Sequence, residues 1–370
     1  MAMAQEPNGG SAFSNRPMLV FWETTRACLL ACSHCRATAQ RRPLPGELDT
    51  AEGLALLEQI AAFGQPTPVV VFTGGDLLLR RDIFRLIERA RELGLRVAAA
   101  PAVTPRLDRL ALSRLKAAGA QAISLSLDAL RPVHDQIRGV PGTFDRTVKA
   151  ALIAQDLGLR VQINTVVMAQ TVPTLPDVAA LLLSARIPIW EVFFLIATGR
   201  AQKDAMVSAE DAEDVCHFLL DASRYDLLVR TVEAPFVRRI LSERQQGAEG
   251  GALYRHLSSR LAELSGPLVH DIRMGTRGTL DGDGILFVAY DGTVMPGGFL
   301  PIPLGWVQHD QLTEIYRHHP LLEAIRRREL EDPCGSCAHR FACGGSRARA
   351  YTMTGDALAA DPACTLARPI

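Results

Sequence analysis

Met18-Leu19-Val20-Phe21-Trp22, an apolar strand-like run, leads directly into Glu23-Thr24-Thr25-Arg26-Ala27-Cys28-Leu29-Leu30-Ala31-Cys32-Ser33-His34-Cys35. The cysteines have the spacing C-x3-C-x2-C. Three closely spaced thiolates can hold three irons of a 4Fe-4S cube, and with no fourth cysteine nearby one iron stays open to a small-molecule ligand. An open iron points to chemistry rather than scaffolding. The competing reading is a structural zinc loop, which usually pairs two cysteine knuckles with partners close by, whereas the next cysteine here is Cys216.

This cysteine loop after a first strand resembles the radical S-adenosylmethionine (SAM) superfamily. The resemblance implies that the amino and carboxylate groups of SAM complete the coordination of the fourth iron. It also implies an external electron donor such as flavodoxin or ferredoxin.

From Met18 to about Gly199, short β-branched runs alternate with amphipathic helical segments, the pattern of repeated βα units around a parallel sheet. Six strands are expected: Met18 to Glu23, Val69 to Thr73, Arg96 to Ala100, Ala122 to Leu127, Arg160 to Val167 and Ile189 to Leu195. They suit an α/β fold built as an open, partial (β/α)6 TIM-like barrel, with chemistry at the C-terminal strand ends. A small C-terminal β-hairpin plus helix, cysteine-rich extension follows. The expected divisions are a disordered tail over 1–17, the barrel over 18–205, a helical connection with a flexible insertion over 206–280, and an auxiliary-cluster region over 281–370.

Within the barrel, Val71-Phe72-Thr73-Gly74-Gly75-Asp76 ends the second strand, where two glycines let backbone approach a ligand and a carboxylate can meet a cation. It resembles the family's GGE element, which binds the methionine ammonium group, with Asp76 in place of Glu. Ile123-Ser124-Leu125-Ser126-Leu127-Asp128 alternates polar side chains on one face, and the resemblance implies that Ser126 and Asp128 lie near the ribose or methionine of SAM. Arg138 could pair with the SAM carboxylate. Gln162 and Asn164 alternate among Val161, Ile163 and Val166, and Asn164 is expected to face SAM. Gly199-Arg200-Ala201 resembles the family's glycine-arginine-alanine element near the adenine, and the backbone at His34 commonly borders it.

A second cysteine group, Cys334, Cys337, Cys343 and Cys364, is spaced C-x2-C-x5-C-x20-C. Four cysteines can saturate a cube, and they equally suit tetrahedral zinc. The tail resembles the SPASM/twitch extension, which carries auxiliary iron-sulfur clusters. Two positions that would serve a further cluster are not cysteine: Gly297 follows Pro296 after the hairpin, and Arg347 stands four residues after Cys343. One auxiliary 4Fe-4S cluster is therefore expected beside the SAM-binding one. The tail also looks like that of the radical SAM enzymes of heme d1 and alternative heme synthesis, which trim tetrapyrrole side chains. The same architecture modifies ribosomal peptides, so a tetrapyrrole and a peptide are both candidate substrates. A non-catalytic iron-sulfur or zinc scaffold is the reading from another class.

With 370 residues, 48% of them hydrophobic, the chain can bury a sizeable core, and its formal net charge of zero argues against nucleic acid or an anionic membrane as partner. No run of eighteen apolar residues occurs, and Met1 to Pro17 lacks a signal-peptide core, so a cytoplasmic protein is expected. Seven of the eight cysteines fall in the two groups, and Cys216, among helix-spaced apolar residues, reads as a buried core thiol. Arg200, Lys203, Tyr254 and His270 are pocket or surface residues that sequence does not separate.

Overall fold

Strand alternation sorts each βα unit into two faces. The computed structural model describes residues 11–275 and 278–367. Its strands are β1 Leu19–Glu23, β2 Val69–Thr73, β3 Arg96–Ala99, β4 Ala122–Ser126, β5 Arg160–Val167, β6 Ile189–Phe194, β7 Leu228–Val232, β8 Leu280–Asp281, β9 Gly284–Val288, β10 Thr293–Met295 and β11 Gly305–Trp306. The order across the sheet is β11-β10-β9-β1-β2-β3-β4-β5-β6-β7, with β8 beside β9. Pairing is parallel from β9 through β1 to β7, and β10 and β11 are antiparallel.

On β1, Val20 and Trp22 are fully buried under the helices. A Cβ on Gly53 of helix Thr50–Ala61 would come within 2.7 Å of the Trp22 ring, so that glycine lets the helix settle on the strand. A capping box starts this helix: the Asp49 side chain accepts from the Glu52 N–H, and the Glu52 side chain from that of Asp49. On β5, Val161, Ile163, Thr165 and Val167 are buried against the helices, which leaves Gln162, Asn164 and Val166 on the barrel side. Gln162 and Asn164 thus share their face with Val166 alone of the three apolar neighbours named above, because a strand side chain reverses every residue. Cys216 is fully buried in the core on helix Ala209–Ala222, as expected.

The six expected strands all form, and the parallel run is longer than they predict. β7 adds a strand beyond β6, and β9, from the C-terminal extension, pairs with β1 in the register Leu19↔Ile285 to Trp22↔Val288. The extension is therefore continuous with the barrel sheet, so residue 281 marks no break in it. The sheet stays open; among the described residues no ladder joins β7 to the far edge.

Two expected segments differ. Residues 11–17, read as disordered, lie along β9 and helix Leu312–His318: the Phe13 carbonyl accepts from Tyr316 Oη at 2.8 Å and the Asn15 carbonyl from Arg317 Nε at 3.0 Å. Residues 1–10 of that expected tail lie outside the described residues. The stretch read as a flexible insertion contains helix Ala252–Ser265, whose Leu257 and Leu261 are buried in the core. Its polar composition hid a two-leucine stripe, which is enough to dock a helix when the neighbours are fixed. Among the described residues no helix is long and apolar enough to cross a membrane.

Candidate active site

The cysteine loop leaves β1 at the C-terminal ends of the parallel strands and is tied there by backbone. Cys28 N donates to Gln40 O at 2.7 Å and Gln40 N to Arg26 O at 2.9 Å, which closes the loop on itself. Three other strand-end loops grip it. Gly75 N donates to Thr25 O at 2.8 Å and Asp76 N to Ala27 O at 2.7 Å from the β2 loop; Ala31 N and Ser33 N donate to Arg138 O and Ile137 O; Arg200 N donates to Cys35 O at 3.0 Å. Backbone donors satisfied in this way fix a loop that no regular secondary structure holds.

The glycines serve that grip. A Cβ on Gly75 would overlap the Ala27 carbonyl, and one on Gly199, at φ +63°, would overlap the Cys35 and Arg36 carbonyls. Both positions need glycine because another backbone lies against them. Gly74 and Gly75 also line the cleft beside the cysteines, whereas Gly199 does not. Gly199 packs against the cysteine loop itself, at the Cys35 and Arg36 carbonyls.

The cleft encloses about 240 Å³ and brings Cys28, Cys32 and Cys35 together with Gly74, Gly75, Ser126, Arg138 and Asn164. Arg138 Nη1 donates to Cys32 Sγ at 3.7 Å while Nη2 pairs with Asp128 Oδ2 at 2.7 Å, so the guanidinium bridges a buried carboxylate and a thiol. Burial pushes the Asp128 carboxyl up, but Arg138 and the nearby His34 and His134 outweigh it and hold it below its ordinary value. Asp128 is fully buried and does not line the cleft. It acts on the cleft through Arg138.

Asp76 departs further from expectation. Its carboxylate is fully buried, accepts from Leu78 N at 3.1 Å and Thr104 Oγ1 at 2.9 Å, and does not line the cleft. Burial raises its pKa. The side chain caps the turn Leu77–Leu79 instead of presenting a free carboxylate to a cation.

Several further groups line the cleft. Ser124 shares the face of Ser126 two residues on, and period-two alternation was signal enough to include it. His34 lines the cleft with its imidazole lowered to about 4 by burial, hence neutral at pH 7. Phe193 and Phe299 meet with ring centroids 6.2 Å apart, one from β6 and one from beyond β10, a pairing only the fold creates. Below Asn164, Gln162 Nε2 donates to Asn164 Oδ1 at 2.8 Å and to Glu191 Oε2 at 2.6 Å, which orients the amide from the barrel floor. Of the four unsorted residues, Arg200 lines the cleft; Tyr254 donates to Asp221 at 2.8 Å between helices; Lys203 and His270 are exposed.

The second cysteine group has its own pattern. Cys334 Sγ accepts from Asp361 N at 3.5 Å, Cys337 Sγ from His339 N at 3.4 Å and Cys343 Sγ from Gly345 N at 3.4 Å, and Cys364 is bonded by the backbone of Leu366. At the first site Leu30 N donates to Cys28 Sγ at 3.4 Å in the same way. Amide donors aimed at sulfur stabilise the thiolate over the thiol and tune an iron-sulfur centre. In their protonated state, burial pushes Cys28 up to about 11 and Cys343 up to about 12. Among the described residues no three His, Cys, Asp or Glu side chains stand close enough to hold a single metal ion. A cube takes one thiolate per iron and does not need that convergence.

The Radical SAM superfamily model matches residues 22–182. The chain is 34% identical over 355 residues to the AdoMet-dependent heme synthase of Oleidesulfovibrio alaskensis, covering 94% of this chain and 87% of that protein. It is 35% identical to the AdoMet-dependent heme synthase of Nitratidesulfovibrio vulgaris, covering 94% and 92%. Among solved structures, Streptococcus suis SuiB bound to its precursor peptide SuiA superposes with a TM-score of 0.70 at 17% identity, covering 95% of this chain and 76% of that one, which shows a shared fold. Identity above 30% along nearly the whole length, with a cysteine loop seated where the parallel strands end, makes this chain a member of the radical SAM superfamily, an enzyme that uses SAM and a 4Fe-4S cluster.

Proposed function

We propose that this enzyme trims a side chain from a tetrapyrrole in the formation of heme. The single observation that carries the reading is the identity of 34–35% to two AdoMet-dependent heme synthases across 94% of the chain. The first cluster is held by Cys28, Cys32 and Cys35. When bound, cluster and SAM together supply a 5'-deoxyadenosyl radical for hydrogen abstraction from the substrate. The chain's own groups bind and orient: Gly74 and Gly75 present backbone to SAM, Ser126 and Asn164 border it from β4 and β5, and Arg138 offers a cation to its carboxylate. The cleft walls exclude water from the radical.

Cys334, Cys337, Cys343 and Cys364 hold a closed auxiliary 4Fe-4S cluster. The thiols fit an anionic cluster because each sulfur already receives a backbone N–H, an arrangement that favours negative charge on sulfur. A flavodoxin- or ferredoxin-type protein in the cytoplasm supplies the reducing electron.

The test is anaerobic incubation of the reconstituted enzyme with SAM, dithionite and an iron porphyrin bearing carboxyethyl side chains. 5'-Deoxyadenosine together with a porphyrin that has lost carbon dioxide supports the reading. SAM cleavage with an unaltered porphyrin would move the substrate to the peptide class, and no SAM cleavage would sink the cluster assignment as well.

A further inference from the structure

The second cysteine group lies among arginines that are buried, Arg239, Arg347 and Arg349, or partly buried, Arg238 and Arg328, and two of them make no direct ion pair. Arg239 pairs with Glu213 at 2.8 Å and with Glu243; Arg349 takes both oxygens of Asp361 at 3.1 Å; Arg328 pairs with Asp283 at 2.8 Å. Arg238 and Arg347 make no direct ion pair among the described residues; the carboxylates that act on them, Asp283 and Asp361, are paired with Arg328 and Arg349. Arg238 donates only to carbonyls, that of Ala342 at 2.9 Å and that of Thr279, and Arg347 to those of Ala357 at 3.0 Å and Ala359 at 2.7 Å and, through Nε, to that of Gly345. Arg347 is 2% exposed, and its Nη2 is buried without a hydrogen-bond partner. A buried charge without a direct ion pair is destabilising, so the buried Arg347 calls for an anion nearby, and the partly buried Arg238 is held at the same ligand loop by the Ala342 carbonyl next to Cys343.

The anion has an obvious place. A Cβ on Gly345, at φ +61°, would collide with the Arg347 guanidinium, and the Gly345 N–H donates to Cys343 Sγ, so the guanidinium lies over the ligand loop. Burial lowers both arginines, and nearby anions work against that: Cys343 and then Asp283 at Arg238, and Asp361 and then Cys334 and Cys343 at Arg347.

We infer that Arg347 and Arg238 set the reduction potential of the cluster held by Cys334, Cys337, Cys343 and Cys364, keeping it high enough to accept an electron that the first cluster would not. The physical reason is charge. A cube with four thiolates is an anion that becomes more negative on reduction, and fixed cations in a low-dielectric surrounding favour the more negative state. Both arginines act through the cluster, as positioning residues for its electrostatics. The inference rests on the proposed cluster assignment at the second site.

The test uses the full chain carrying Cys28→Ala, Cys32→Ala and Cys35→Ala, so that only the second site is loaded, and reads its midpoint potential by EPR-monitored titration. In this background R347L and R238L should each lower the one-electron reduction constant at least tenfold, about 59 mV. R347K, which keeps the charge, should stay closer to the parent. An unshifted potential in R347L and R238L, with iron and sulfide retained, overturns the inference. Loss of the cluster from all three arginine variants with the circular dichroism spectrum intact also overturns it, giving the arginines an assembly role. If the parent background itself binds zinc or no iron, it is the cluster assignment that has failed.

Discussion

The two cysteine groups of this protein are built in opposite ways. Cys28, Cys32 and Cys35 lie on a loop gripped by backbone from three other strand-end loops, and they face a cleft. Cys334, Cys337, Cys343 and Cys364 lie in the tail with a backbone N–H at each sulfur and buried or half-buried arginines around them. At the first site the guanidinium that touches a sulfur, Arg138, is neutralised by Asp128 at 2.7 Å. At the second, Arg238 and Arg347 make no direct ion pair among the described residues and donate to backbone carbonyls instead. The difference is electrostatic: a guanidinium paired directly with a carboxylate touches the first group, and guanidiniums bonded only to backbone carbonyls stand by the second.

The largest test separates the groups outright. Replacing Cys28, Cys32 and Cys35 by alanine should reduce iron from about eight to about four per chain and abolish 5'-deoxyadenosine formation. Replacing the four tail cysteines should cost similar iron yet leave SAM cleavage measurable. If both sets abolish cleavage equally, the division of labour is wrong. Next in size is the charge pair. Arg138→Leu leaves the fully buried Asp128 carboxylate alone and should cost about 3–5 kcal/mol in chemical denaturation of the apoprotein. Adding Asp128→Asn should recover part of that loss, and simple additivity of the two changes would show that the pair is not coupled.

A third test asks whether the grip is confined to the first site. Gly75→Ala puts a methyl group into the Ala27 carbonyl and should cost about 1–3 kcal/mol as an overpacked contact. Iron should then be lost from the first cluster, while the EPR signal of the second is unaffected. Equal loss from both would mean that the alanine disturbs the whole barrel rather than the loop.

Much of this arrangement is legible along the chain. The C-x3-C-x2-C spacing after an apolar run identifies the loop, and short strand-like runs mark all six barrel strands, continuous in hydrophobicity at β2 and alternating at β4 and β5. What escapes is set by three-dimensional neighbours. Asp76 and Asp128 look like free acids at strand ends, and only the fold shows Thr104 and Arg138 taking them up. Gly199 reads as a ligand contact, and only the fold shows that its backbone lies against the cysteine loop. The pairing of β9 with β1 joins residues more than 260 positions apart, which no local pattern encodes. The pairing of the arginines around the tail cysteines is equally invisible, since it depends on which carboxylates reach which guanidiniums.

The finest probe of the first site is His134, whose ring touches the same charge pair. Its Nδ1 accepts the Asp128 N–H at 3.1 Å and stands 3.8 Å from Asp128 Oδ2. Accepting that bond requires a neutral imidazole, and burial together with Arg138 lowers its pKa to about 4 despite Asp128. The folded value lies below the ordinary value of about 6.5, so at intermediate pH the unfolded chain binds a proton that the folded chain refuses. Stability is therefore present above pH 6.5 and is lost as pH falls towards 4. Between pH 6.5 and 5.5 this single group should remove about 1 kcal/mol from the unfolding free energy. His134→Asn, whose side-chain oxygen can take the Asp128 N–H without titrating, should flatten that slope in urea titrations of the apoprotein. An unchanged slope would place the acid sensitivity elsewhere and leave the Asp128–Arg138 pair electrostatically independent of its histidine.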